Sequence, residues 1–211
     1  MNTGFFTEDL SDETKTTFVA SINVSPLSAE PEKRGVLCFD VNEQGLIAIG
    51  QTGSQDKEIC VYTSQGEFLY GYTFNCTQSF CVEWDEQHVN IYFIRSDVII
   101  SLDSDGNILD IKAVQDTIDN NSYRNSLLYS TTRTVGNTTY LIRNDMGIFN
   151  WIATSYSQIV TIDATGSESI IYDVNSMQLT KTIVTISLIC VFVFVAVAVV
   201  IWQFIKLRRG N

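Results

Sequence analysis

The sequence predicts an all-β domain of about three four-stranded repeats, followed by one C-terminal transmembrane α-helix. Three observations carry this reading. Three segments align without gaps around a turn glycine. The apolar runs ahead of the C-terminal segment are short, rich in Ile, Val, Tyr and Phe, and without a sustained helical period. Over residues 182–205 there is no charged side chain, and Lys206, Arg208 and Arg209 follow directly.

Residues 1–34 form an N-terminal segment, with a strand expected over 17–24 and then a loop that holds both prolines, Pro26 and Pro31. The repeat domain runs from 35 to 175. Its aligned segments are Glu58-Ile-Cys-Val-Tyr-Thr-Ser-Gln-Gly66, Val98-Ile-Ile-Ser-Leu-Asp-Ser-Asp-Gly106 and Gln158-Ile-Val-Thr-Ile-Asp-Ala-Thr-Gly166. Each reads as a strand, a tight turn and a second strand. Thr63, Asp103 and Asp163 precede the glycines by three residues, where a side-chain oxygen caps the turn, and the glycine supplies the positive φ that closes it. Phe74, Val114 and Val174 fall eight residues after the glycines as apolar positions. Upstream, Leu37-Cys-Phe-Asp-Val-Asn42, Phe80-Cys-Val-Glu-Trp-Asp85 and Tyr140-Leu-Ile-Arg-Asn-Asp145 align as the first strands, so each unit has four strands.

Units of about 40 residues with four antiparallel strands are the signature of propeller blades. Over about residues 35–175 the turn pattern resembles that of NHL-type and other β-propeller repeat proteins. The resemblance is carried by hairpins, so it implies a propeller-like fold and transfers no binding residues. Closed propellers have at least about four blades, so three repeats imply an incomplete or open propeller, a dimer of two arcs, or a natural N-terminus further upstream. Gly66 and Gly106 lie 40 residues apart, whereas Gly106 and Gly166 lie 60 apart. The extra segment, 115–139, is rich in Asn, Ser, Thr and Tyr and is expected as a protruding loop or added hairpin.

After a short juxtamembrane linker, 176–181, the apolar segment 182–205 has the length of a bilayer span, since about 20 residues at about 1.5 Å each cover about 30 Å of hydrocarbon. Trp202 fits an interfacial anchor. The basic tail, 206–211, predicts a cytoplasmic C-terminus and an extracytoplasmic β domain. Against this, the opening residues are acidic and contain no apolar core of signal length, which alone would give a tail-anchored chain with a cytoplasmic domain. The span holds no ionisable group and so forms no ion path by itself.

The formal charge is −11, from 24 acidic and 13 basic residues. Such a chain is repelled by phosphate backbones, which excludes nucleic acid as the expected partner. Cys38, Cys60 and Cys81 fall in strand runs, Cys76 in an apparent loop and Cys190 in the span, a distribution that reads as free thiols.

Asp40, Glu83 and Arg143 align in the first strands of the three units. In a propeller the innermost strands line the central channel, so these residues are the candidate ligand-binding set, for a small polar or cationic ligand, against the plainer reading that they pair with one another or face solvent. Tyr123, Arg124, Tyr129 and Arg133 in the inserted segment form a second candidate surface. His88, the one histidine, reads as a solvated turn residue, and Asp103-Ser-Asp-Gly-Asn107 as a structural turn rather than a calcium loop. No metal-ligand motif, phosphate-binding glycine loop or nucleophile elbow occurs.

The expected function is a non-enzymatic, membrane-anchored, propeller-like binding or scaffold module with no cofactor. Its expected partners are the lipid bilayer, other envelope or membrane proteins, and a second copy in a homodimer. The alternative is a propeller-type metal-dependent hydrolase or lyase with an axial acidic site.

Overall fold

The computed structural model of the chain describes residues 1–51 and 56–209. The last two residues of the expected basic tail, Gly210 and Asn211, lie outside the described residues.

The chain opens with β1 (Thr7–Asp9), α1 (Asp12–Ile22) and β2 (Ser25–Pro26). A strand is expected over 17–24, but the segment is helical. Ser11 accepts a hydrogen bond from the Thr14 amide, Asp12 and Glu13 occupy the positive end of the helix, and Asn23 stops it in the left-handed region at φ 44°. Phe18 and Ile22, four residues apart, fall on one face and pack on the core. The ring of Phe18 meets that of Phe93 edge-on at 5.2 Å.

The chain forms three antiparallel sheets. The first is β3 (Val36–Val41), β4 (Ile47–Gln51), β5 (Asp56–Tyr62) and β6 (Phe68–Asn75), with β2 added beside β6. The second is β7 (Phe80–Asp85), β8 (His88–Phe93), β9 (Val98–Leu102) and β10 (Ile108–Val114), with β1 added beside β10. After α2 (Ile118–Tyr129), the third sheet is β11 (Thr132–Val135), β12 (Thr138–Arg143), β13 (Gln158–Ile162) and β14 (Glu168–Asp173). A 3₁₀ helix, Gly147–Ile152, lies between β12 and β13. The sheets are not closed into a ring.

The predicted turns form as expected. Asp103 Oδ1 accepts from the amides of Asp105 and Asn107, Asp163 Oδ1 from those of Thr165 and Ser167, and Thr63 Oγ1 from those of Gln65 and Glu67. Gly66, Gly106 and Gly166 take φ of 83°, 83° and 81°. Asn42 and Gly45, at φ 78°, build the same turn between β3 and β4.

The first sheet lies in the middle. One core joins it to the second sheet through residues such as Val61, Phe74, Ile91 and Phe93, and another joins it to the third through Phe39, Ile49, Tyr62, Ile159 and Tyr172. Every residue of β4 is buried, which is why it reads as a continuous apolar run rather than an alternating one. Phe74, Val114 and Val174 are all buried. All five cysteines are free, and all but Cys190 are buried. Burial pushes the Cys38 and Cys60 thiols up to about 12, so neither carries appreciable thiolate at neutral pH.

The inserted segment is not a protruding loop, and the hairpin expected around its Val135-Gly136-Asn137 turn forms as part of the third sheet. The segment supplies α2, capped by Thr117 through the Asn120 amide, and then β11, the true first strand of the third sheet. The expected linker at 176–181 is likewise helical, because α3 (Asn175–Arg209) begins one residue beyond β14. Gln178 Nε2 donates to Ser155 Oγ at 2.9 Å and to the Tyr156 carbonyl at 3.2 Å, which fastens the first turns of α3 to the β domain. Over Asn175–Gln203 the mean hydropathy reaches 3.2, so the C-terminal helix is long and apolar enough to cross a membrane.

Candidate functional site

Side chains alternate along a strand, so Asp40 on β3 points away from Phe39 and towards the second sheet. It meets β7 there. Asp40 Oδ2 accepts from the Trp84 amide at 2.8 Å, and the Trp84 indole Nε1 donates to the Asp40 carbonyl at 3.2 Å. Its other oxygen, Oδ1, accepts from Arg133 Nε at 2.8 Å. Arg133, on β11, also donates to the carbonyls of Thr132 and Leu127 and lies 5.3 Å from the centre of the Phe39 ring. One guanidinium thus links β11, β3 and the last turn of α2, whose carbonyls are the negative end of that helix.

Glu83 lies one residue before Trp84 and so on the opposite face of β7, away from the first sheet. Glu83 as a whole is 4% exposed. Tyr123, from α2, donates to Oε2 at 2.7 Å, and Asn90 Nδ2, opposite on β8, donates to Oε1 at 3.2 Å. Asn90 Nδ2 also reaches the Asn2 carbonyl. Burial raises the Glu83 carboxyl above its usual range, and the hydrogen bonds from Thr3, Tyr123 and Asn90 only partly offset this. The lid over this face is the N-terminal segment and α2, held together by Asn120: its Oδ1 accepts from the Phe6 amide, and its Nδ2 donates to the carbonyls of Phe6 and Gln115.

Of the three residues expected at the axis, Asp40 and Glu83 stand on the adjacent first strands β3 and β7. Arg143 does not join them. It ends β12, the second strand of its sheet, and pairs with Glu168 on β14 at 2.9 Å. The arginine beside Asp40 is Arg133, which the sequence reading places on the inserted surface together with Tyr123. Both turn inward, whereas Tyr129 is 77% exposed. The Val135-Gly136-Asn137 turn does announce a hairpin from sequence, with a first strand expected over 127–130; that stretch ends α2 instead, and the strand is Thr132–Val135, which carries Arg133.

Chemically, the arrangement is a lock. Each Asp40 and Glu83 oxygen already accepts a hydrogen bond from the protein, and Arg133 is occupied by three acceptors. Among the described residues, no group of three or more His, Cys, Asp or Glu side chains is placed to hold a metal ion. His88 opens β8 opposite Asp85, half-buried at the hairpin.

Clefts also lie elsewhere among the described residues. A polar one of about 380 Å³ is bordered by the turns at Gly45 and Ser64 and by Thr138, Thr161 and Asp163. A more apolar one of about 870 Å³ lies between the β domain and α3.

The chain matches no protein-family model and no curated protein.

Proposed function

We propose that the chain is a non-enzymatic, single-pass membrane-anchored scaffold module with a propeller-like arrangement of three blades, open at the third sheet. One repeated contact supports this most. The Asp103–Gly106 turn of the second sheet packs on the first, with Gly106 facing Tyr72 and the Tyr72 hydroxyl donating to the Asp103 carbonyl. The Thr63–Gly66 turn of the first sheet likewise packs on the third, with Gly66 facing the Ile171 carbonyl, although the Tyr172 hydroxyl pairs with the Arg34 backbone instead of the turn. The third turn, at Gly166, meets nothing within 4 Å.

The other end of the arc differs in kind. Tyr72 and Tyr172 each fall six residues after a turn glycine, and the corresponding residue of the second sheet is Lys112, half-buried and paired with the exposed Asp9. The outer face of the second sheet is covered by the N-terminal segment and α2. The third sheet instead presents Ile170, 52% exposed, with Leu141 and Ile162 on the same face. This face is where a partner membrane protein or a second copy would continue the arc. In this reading α3 crosses the bilayer, its basic end is cytoplasmic and the β domain is extracytoplasmic.

The test is a photo-crosslinking amino acid placed at Ile170 or Thr165 in native membranes, with exposed Asn125 on α2 as the control. A discrete adduct from 170 or 165 and none from 125 is the expected result. The absence of adducts from all three positions overturns the scaffold reading.

A further inference from the structure

The 3₁₀ helix Gly147–Ile152 leaves Ile148 79% and Trp151 84% exposed. Two large apolar side chains thus face outward from one short turn. Its position explains why. The cleft of about 870 Å³ beside α3 is lined on one side by Met146, Ile152 and Ala153 and on the other by residues from Met177 through Ile186 to Ile189. The 3₁₀ segment therefore stands alongside the helix well beyond Lys181, its last charged residue before the apolar run. From Ile186 to Ile205 there are 20 residues, which is about 30 Å of helix and the full hydrocarbon thickness. Ile186 and Ile189 thus mark the boundary between headgroups and acyl chains, and the 3₁₀ turn is level with it.

We propose that this turn is a second, shallow membrane contact: Ile148 and Trp151 enter the headgroup region of the same leaflet that α3 enters, and phospholipid fills the cleft between them. The inference rests on the reading that α3 spans a bilayer. Tryptophan suits this depth, with an apolar ring and one N–H that still reaches water or a headgroup oxygen. Lys181 and Arg34 line the cleft and offer cations to a phosphate, although Glu32 lines it too and Arg34 also lies 3.7 Å from Glu58; Ile152, Ile186 and Ile189 line it with apolar surface suited to an acyl chain. Because α3 joins β14 with one intervening residue and is bonded through Gln178, two contacts fix the tilt of the domain, where one helix alone leaves it free to rotate about a single axis.

The test uses the full chain reconstituted into phosphatidylcholine vesicles, with and without bromine near the headgroup end of the acyl chains, and reads tryptophan emission. W202F retains Trp151 and Trp84, W151F retains Trp202 and Trp84, and W151F/W202F retains Trp84 alone. The expected result is a bromine-dependent loss of emission in W202F that is absent from the double variant, together with a separate loss in W151F that reports the inserted helix. If W151F is quenched and W202F behaves like the double variant, α3 is inserted, the turn is dry of lipid and the proposal is overturned. If neither single variant is quenched, the spanning reading fails and the proposal with it. Shielding of Trp151 that disappears on dilution in the bilayer identifies a second copy as the occupant and overturns the lipid assignment.

Discussion

Arg133 Nε donates to Asp40 Oδ1 at 2.8 Å, and both side chains are only 16% exposed. This bond ties the first strand of the third sheet to that of the central one. R133M strands a half-buried carboxylate and leaves the Leu127 and Thr132 carbonyls without their donor. It should destabilise the domain by about 2–4 kcal/mol in urea unfolding of the detergent-solubilised protein. D40N/R133M should cost less than the sum of the single changes by at least about 1 kcal/mol, because the pair acts as a unit.

Glu83 gives a pH signature. Burial raises its native-state pKa, so the folded protein holds this proton at a pH where the unfolded chain has released it. Its contribution to stability is fully present below the ordinary carboxylate range and is lost as the pH rises through the raised native value. E83Q removes this dependence while keeping a hydrogen-bonding side chain opposite Asn90. Unfolding midpoints measured from about pH 4 to about pH 7 should fall with pH in the wild type by more than in E83Q.

The turn glycines should differ in sensitivity. At Gly166 a methyl group meets open space, so G166A bears only the cost of a left-handed conformation, about 1–2 kcal/mol. At Gly66 the new Cβ would lie 2.4 Å from the Ile171 carbonyl oxygen, so G66A should cost clearly more. Equal unfolding midpoints for the two variants would remove the packing of this turn on the third sheet.

How well each element is legible depends on whether its cause is local. The hairpin turns are legible because the cap and the glycine lie three residues apart in one segment, as at Asp103 and Gly106. The first strand of the third unit is not, because Thr132-Arg-Thr-Val135 is short, polar and half-exposed. Passing over it shifts the unit by one strand and puts Arg143 in the place of Arg133. The helix α1 is obscured by Thr16, Thr17 and Val19, residues that favour strands, although Ser11-Asp-Glu13 is a helix start. The helix α2 depends on long-range bonds from Asn120 to Phe6 that no local pattern encodes.

The junction between domain and helix depends on close approach. At Gly35 a Cβ would meet Ser155 Oγ and Gln178 Nε2, so a larger residue there displaces the Gln178 side chain from its bond to Ser155. G35A and Q178A should both speed amide exchange over residues 175–181, while Q178A moves the unfolding midpoint of the β domain by no more than about 1 kcal/mol. Exchange as slow as in the wild type would mean that α3 is held by other contacts.

In the proposed arrangement a β domain of three sheets is carried on a bilayer by α3, whose apolar window lies wholly outside the protein interior. In extraction of native membranes the full chain should stay in the pellet through alkaline carbonate and urea washes and be released only by detergent, as an integral protein is. Release by carbonate alone would show that α3 does not span the bilayer.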